Sequence, residues 1–166
     1  DEVFKETTSH LLEVIVKLID IKKNTGKTIH IDIEPEPDGL LESGTEFLKW
    51  YEDYLLPSGT SLLNKHFGWT NELSTKALKE HVQLCYDICH FAVGYEDHQE
   101  MITALQQKNI RIGKIQISAA LKAGIPVVGE ERNSVIDAFQ HFNESTYLHQ
   151  VIALQKNGGL KKYPDL

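Results

Sequence analysis

Three short segments place carboxylates, imidazoles and amides where chemistry could be done: IDIEPEP over residues 31–37, YDICHFAV over 86–93 and KIQIS over 114–118. In order they supply Glu34 and Glu36, then Asp87 and His90, then Gln116 and Ser118, with Lys114 two residues before Gln116. Further on, YLHQV (147–151) offers His149 or Gln150. Carboxylates and imidazoles brought to one point would hold a divalent metal. Oxygen donors suit Mg²⁺ or Mn²⁺, and histidine is tolerated by Mn²⁺ and favoured by Zn²⁺.

Each residue also has a plainer reading. Glu34 and Glu36 are equally well solvated loop acids, and Asp87 could cap a following helical turn. Cys85 and Cys89 lack a second cysteine pair, so buried small hydrophobes explain them better than metal ligation. His30 and Asp32 read as a hydrogen-bonded pair beneath the functional end. Lys114 would pair with one of the acids or contact substrate. His10, His66, His81, His98 and His141 fall on helices or loops and read as surface residues.

The elements that must position these groups follow from periodicity. Phe4, Leu11, Leu12, Ile15, Leu18 and Ile19 predict an amphipathic helix over 3–23, ended by Asn24 to Gly26. TIHIDI (28–33) alternates, with Ile29, Ile31 and Ile33 on one face and His30, Asp32 and then Glu34 on the other. Helices are expected over 44–56, 60–66 and 71–80, with a Pro-Ser-Gly turn after the first. VQLCYD (82–87) is the next strand, placing Gln83 and Cys85 on the face of Asp87 and Val82, Leu84 and Tyr86 on the other. A helix over 96–108 leads to the strand 113–118, with Ile115 and Ile117 on one face and Lys114 and Gln116 on the other, and a helix over 131–142 to a fourth strand over 146–154. The tail GGLKKYPDL reads as turn and loop.

Strand–helix alternation without hairpin signals predicts a parallel sheet of right-handed βαβ units. An open doubly wound sheet would have strands apolar on both faces. Strands with one apolar and one polar face instead predict a (β/α) barrel of the TIM type, with helices outside. A complete barrel takes ~250 residues. Residues 1–166 therefore read as a single domain, a partial barrel of about four strand–helix units forming the C-terminal part of a larger (β/α)₈ barrel. The chain starts without Met and inside a helical pattern, so upstream residues are expected.

Composition bounds the function. With 41% apolar and 25% charged residues, the chain has the make-up of a water-soluble globular domain. No run reaches the ~20 apolar residues of a membrane span. A net charge of −7 argues against nonspecific nucleic-acid binding. Two cysteines are too few for a disulfide framework and suit a reducing cytoplasm.

Taken together, EPEPDGLLE (34–42), YDICHFAV, GKIQISAAL (113–121) and YLHQV resemble the xylose isomerase-like superfamily, and within it the EboE-type metabolite traffic proteins of bacterial secondary-metabolite gene clusters. The resemblance implies that Glu34 is a metal-ligand glutamate and Asp87 a second carboxylate ligand, with His90 touching substrate. It puts Gln116 where a histidine ligand is usual, a departure that weakens the metal site. Two functions follow. In one, a bound Mn, Zn or Mg ion polarises a sugar-like carbonyl and its neighbouring hydroxyl for isomerisation or epimerisation. Glu34 is then ligand or proton-abstracting base, His90 an acid or hydrogen-bonder, and Lys114 a charge near the developing oxyanion. Glu36 and His149 stand where substrate contacts would fall. In the other, the same pocket binds a small metabolite without turnover. Cleavage of DNA, known among the superfamily's endonuclease IV type, lacks its histidine-rich cluster and basic surface here. The strand edges of a partial barrel would favour a homodimer.

Overall fold

The computed structural model describes residues 2–127, 129–143 and 150–163. Helix α1 (Glu2–Thr25) follows the predicted apolar stripe and ends where Gly26 adopts φ 71°, its N–H donating to the Lys22 carbonyl at 2.8 Å. Strand β1 (Ile31–Ile33) is shorter than the alternation suggests. Ser43 then caps α2 (Gly44–Trp50), its hydroxyl accepting from the Glu46 N–H.

Instead of turning at Pro-Ser-Gly, the chain passes through a π-helical turn (Tyr51–Leu55) straight into α3 (Leu56–Phe67). The ring of Pro57 would clash with the carbonyl four residues back in a regular helix, and a widened turn just before it relieves that clash. Helix α4 (Asn71–His81), capped by Thr70, runs into β2 (Val82–Asp87). Helices α5 (Ile88–Val93) and α6 (His98–Gln107) lead to β3 (Ile112–Gln116).

The sheet is parallel in the order β1-β2-β3. Ile31, Asp32 and Ile33 sit opposite Val82, Gln83 and Leu84. Beyond a bulge at Leu84/Cys85, Cys85, Tyr86 and Asp87 sit opposite Lys114, Ile115 and Gln116. Gly113 is the extra residue on β3. A Cβ there would fall 1.9 Å from Asp32 Oδ1, so only glycine lets β3 approach that carboxylate. Buried side chains from α1 to α6 join Val82, Leu84 and Tyr86 in one core on a single face of the sheet. Two polar ties cross this core. Tyr51 donates to the Val82 carbonyl at 3.0 Å, and Trp50 Nε1–H donates to the Thr8 hydroxyl at 2.9 Å. The opposite face carries Asp32, Gln83, Cys85, Asp87, Lys114 and Gln116, as the alternation predicts.

The barrel expectation is overturned beyond β3. Residues 117–127 contain no regular element, and α7 (Glu130–Gln140) buries none of its residues. Strand β4 (Val151–Leu154) does not continue the parallel sheet but pairs antiparallel with β5 (Leu160–Tyr163). The described strands thus form an open three-stranded parallel sheet and a separate two-stranded hairpin. The cause is local. Gly158, at φ 82°, reverses the chain, and Gln155 and Gly159 close the turn with a 2.8 Å backbone bond. The tail read as loop is β5. A partner strand reached across a five-residue turn costs far less closure entropy than a crossover back to β3. Among the described residues no helix is long and apolar enough to cross a membrane.

Candidate functional site

Because the three strands are parallel, their C-terminal ends share one edge, and the sequence loads that edge with polar groups. Glu34 is the first residue past β1, Asp87 the last of β2 and Gln116 the last of β3. Their side chains meet. Gln116 Nε2 donates to Glu34 Oε1 at 2.8 Å and to Asp87 Oδ2 at 2.7 Å, so one amide group bridges two carboxylates. Lys114 Nζ donates to Gln116 Oε1 at 2.9 Å, which fixes the amide with its NH₂ toward the acids. In this orientation Gln116 presents no oxygen to a cation, and Lys114 engages the amide rather than an acid directly.

Asp87 has both roles that its position allowed. As N-cap of α5 it accepts the Cys89 N–H on Oδ1 at 3.1 Å, and Ser118 Oγ donates to the same oxygen. The Cys85 thiol donates to Glu34 Oε2 at 3.4 Å. His90, in the first turn of α5, brings Nδ1 to 3.3 Å from Glu34 Oε1. The alignment there does not make a hydrogen bond, and Nδ1 is buried without a partner among the described residues. Cys89 completes the group: ligand-type atoms of Asp87, Cys89 and His90 lie within 4.8 Å of one another.

The electrostatics follow from burial and these bonds. Burial pushes Asp87 up, but hydrogen bonds from Ser118 and Cys89 and the nearby His90 together hold it below the usual aspartate range. Burial, then the bond to Glu34 and its charge, raise the Cys85 thiol to about 11. The Cys89 thiol is also raised, mainly by burial, with Ser118 opposing and Asp87 and Glu34 adding. Both thiols are therefore protonated at neutral pH until something displaces the proton. A carboxylate, a thiol and an imidazole within 4.8 Å of one another, with Glu34 beside the imidazole, are donor types that a divalent cation fits.

No family model, curated protein or solved structure matches the chain.

Of the residues singled out from sequence, Glu34, Asp87, His90, Lys114, Gln116 and Ser118 come together. Glu36 does not join them in any described contact. It is exposed, and its backbone shapes the loop, donating to Leu41 and accepting from Gly39. His149 lies outside the described residues. Its neighbour Gln150 donates to the Pro37 carbonyl at 2.8 Å, and Lys162 pairs with Glu42, so the hairpin rests on the loop that follows Glu34. His30 and Asp32 form their expected bond, 2.8 Å from Nδ1 to Oδ1, one layer below the cluster. His81 corrects its surface reading. It is fully buried, with Nδ1 at 2.6 Å from the Ile29 carbonyl. Sequence reasoning assigned Cys89 to the core. The available signal was its place in D-x-C-H, two residues past a carboxylate that caps the helix and accepts the Cys89 N–H.

Proposed function

We propose that the strand-end cluster binds a divalent cation and that the chain acts on a small carbonyl or polyol metabolite by metal-assisted proton transfer, as isomerases and epimerases do. The observation that carries this reading is the His90 Nδ1 atom, buried with no hydrogen-bond partner among the described residues and 3.3 Å from Glu34 Oε1, on a residue whose ligand-type atom lies within 4.8 Å of those of Asp87 and Cys89. A group bound there supplies Lewis acidity toward a carbonyl oxygen and its neighbouring hydroxyl. The remaining roles belong to the chain. Glu34, with 31% of its side chain exposed, is the carboxylate that solute can reach and is the proton acceptor. Asp87, buried and bonded on both oxygens, holds position and does not shuttle protons. Gln116 fixes the spacing of the two acids, and Lys114 brings positive charge toward a developing oxyanion. The EPEP and D-x-C-H motifs, which resemble those of xylose isomerase-like proteins, support the substrate class.

A second reading is favoured by the Lys114–Gln116–carboxylate network, which is closed on itself. It makes the chain a metabolite-binding protein without turnover, in the manner of the EboE-type proteins it resembles. Elemental analysis of the chain purified without chelator, alongside Glu34→Ala and Asp87→Ala, tests the first reading. Near-stoichiometric Mn or Zn that disappears in both variants supports it and directs a sugar-isomerisation screen. No bound metal, and no uptake on addition, leaves the binding reading. Free Cys85 and Cys89 favour the cytoplasm as its compartment, and the open edges of β1 and β3 favour self-association, checked by size-exclusion chromatography.

A further inference from the structure

Resting on that reading, we infer that the cation of this centre is thiophilic, a zinc-class ion, and that Cys89 is its ligand together with Asp87 and His90, in place of Gln116. The argument is one of competing donors. For Gln116 to ligate through Oε1, its amide would have to turn over. That would break the 2.8 and 2.7 Å bonds to Glu34 and Asp87 together with the 2.9 Å bond from Lys114. It would also aim an NH₂ group at the Lys114 ammonium, donor against donor. Asp87, Cys89 and His90 give up less: Asp87 only accepts at its two oxygens and already faces Cys89, and the Cys89 thiol, bonded to Asp87 and Ser118, exchanges its proton for the metal bond. Among the described residues His90 Nδ1 has no hydrogen bond to give up, and the Cys89 side chain is half-buried at the head of α5.

Spacing and chemistry agree. Donors around a tetrahedral ion at zinc–ligand distances stand roughly 3.3–3.8 Å apart. The three ligand-type atoms are already within 4.8 Å of one another, so side-chain rotation of about an ångström closes the set. Binding exchanges one proton for one metal bond: the Cys89 S–H ionises as the ion arrives, the proton leaves to solvent, and no oxidant or reductant is involved. Glu34 Oε1, 3.3 Å from His90 Nδ1 and bonded to Gln116, has a second lone pair with which to serve as a fourth donor or as the base beside an open position. A thiolate among oxygen and nitrogen donors selects Zn²⁺ over Mg²⁺, which takes oxygen ligands. Cys85 is not part of this set, because its thiol is committed to Glu34 Oε2.

The test is cobalt spectroscopy on the whole chain, stripped with chelator and titrated with Co²⁺, then with Zn²⁺ in competition. The expected result is a near-ultraviolet thiolate-to-cobalt charge-transfer band that Zn²⁺ abolishes, present in wild type and Cys85→Ser and absent in Cys89→Ser and Cys89→Ala. Zinc affinity should fall by at least about tenfold in the two Cys89 variants, the lower end of what even outer-shell changes cost. Serine keeps the backbone N–H that Asp87 accepts, and a far-ultraviolet circular dichroism spectrum confirms the fold of each variant. Cobalt bound without the band, at equal affinity in Cys89→Ser, would overturn the thiolate ligand while leaving a metal centre in place. No uptake of Co²⁺ or Zn²⁺ by any form would overturn this inference and the metal-assisted reading together.

Discussion

Replacing Gln116 with Met keeps the length of the side chain and removes the one group that holds two acids together. The amide nitrogen lies 2.8 Å from Glu34 Oε1 and 2.7 Å from Asp87 Oδ2, so those oxygens can be no more than about 5.5 Å apart. Two unit charges about 5 Å apart repel by roughly 0.8 kcal/mol in water and about 3 kcal/mol at an effective dielectric of 20. Asp87 is 7% exposed while the Glu34 side chain is 31% exposed, so the pair sits between these limits. Gln116→Met should therefore lose roughly 1–3 kcal/mol at pH 7, a fall in melting temperature of roughly 2–12 °C for a domain of this size. The pH signature separates repulsion from lost packing. In the wild type, Asp87 is held below the usual aspartate range, so its contribution is present above that range and is lost as pH falls through the lowered value. In the variant, protonating either acid removes the repulsion, so the gap between the two proteins narrows on acidification. Urea titrations at pH 7 and near pH 4, at low salt and without metal, measure it. Equal stability at pH 7, or a deficit of the same size at both pH values, would refute the bridge.

Two further outcomes test the frame around the site. Gly113→Ala places a methyl group 1.9 Å from Asp32 Oδ1 and 2.9 Å from Gln83 Oε1, an overpacking expected to cost about 1–3 kcal/mol in urea denaturation. Asp32→Ala in the same chain should recover part of that loss, and a neutral Gly113→Ala would mean that β3 does not approach β1 as described. The Lys22–Glu80 pair ties α1 to α4 at 2.5 Å, and its hydrogen bond holds Glu80 below the usual glutamate range. Its contribution is present above that range and fades as pH falls through the lowered value. With both side chains about a third exposed, Lys22→Ala should cost only about 0.2–1 kcal/mol at pH 7, and nothing once Glu80 is protonated.

Much of the site's frame was legible because it depends on period-two alternation. Asp32, Glu34, Cys85, Asp87, Lys114 and Gln116 were assigned to one face from parity alone, and the register puts Asp87 directly opposite Gln116. What failed depended on contacts distant in sequence or on backbone detail. Pro57 reads as a turn because nothing in a sequence announces the π-helical turn that accommodates it. Leu160–Tyr163 is too charged to read as a strand, yet it pairs with Val151–Leu154 because the Gly158–Gly159 turn brings it there. That pairing removes β4 from the parallel sheet and, with it, the barrel. Ile115 and Ile117, read as a core face, are 59% and 92% exposed, whereas Ile112 at the start of β3 packs against the core.

Hydrogen-bond satisfaction, which no periodicity reports, is what separates the candidate ligands. Asp87 accepts at both oxygens, and Glu34 takes Gln116 on one oxygen and Cys85 on the other. A buried acid satisfied in this way loses little by staying as it is, and a buried nitrogen without a partner loses by it. A ligand arriving at the strand ends therefore meets the least resistance at His90, whose Nδ1 has no hydrogen-bond partner among the described residues. It meets the most at Gln116, where three bonds must break before one can form. The position expected to weaken a metal site is better understood as the strut that keeps two acids at fixed separation beside the start of α5.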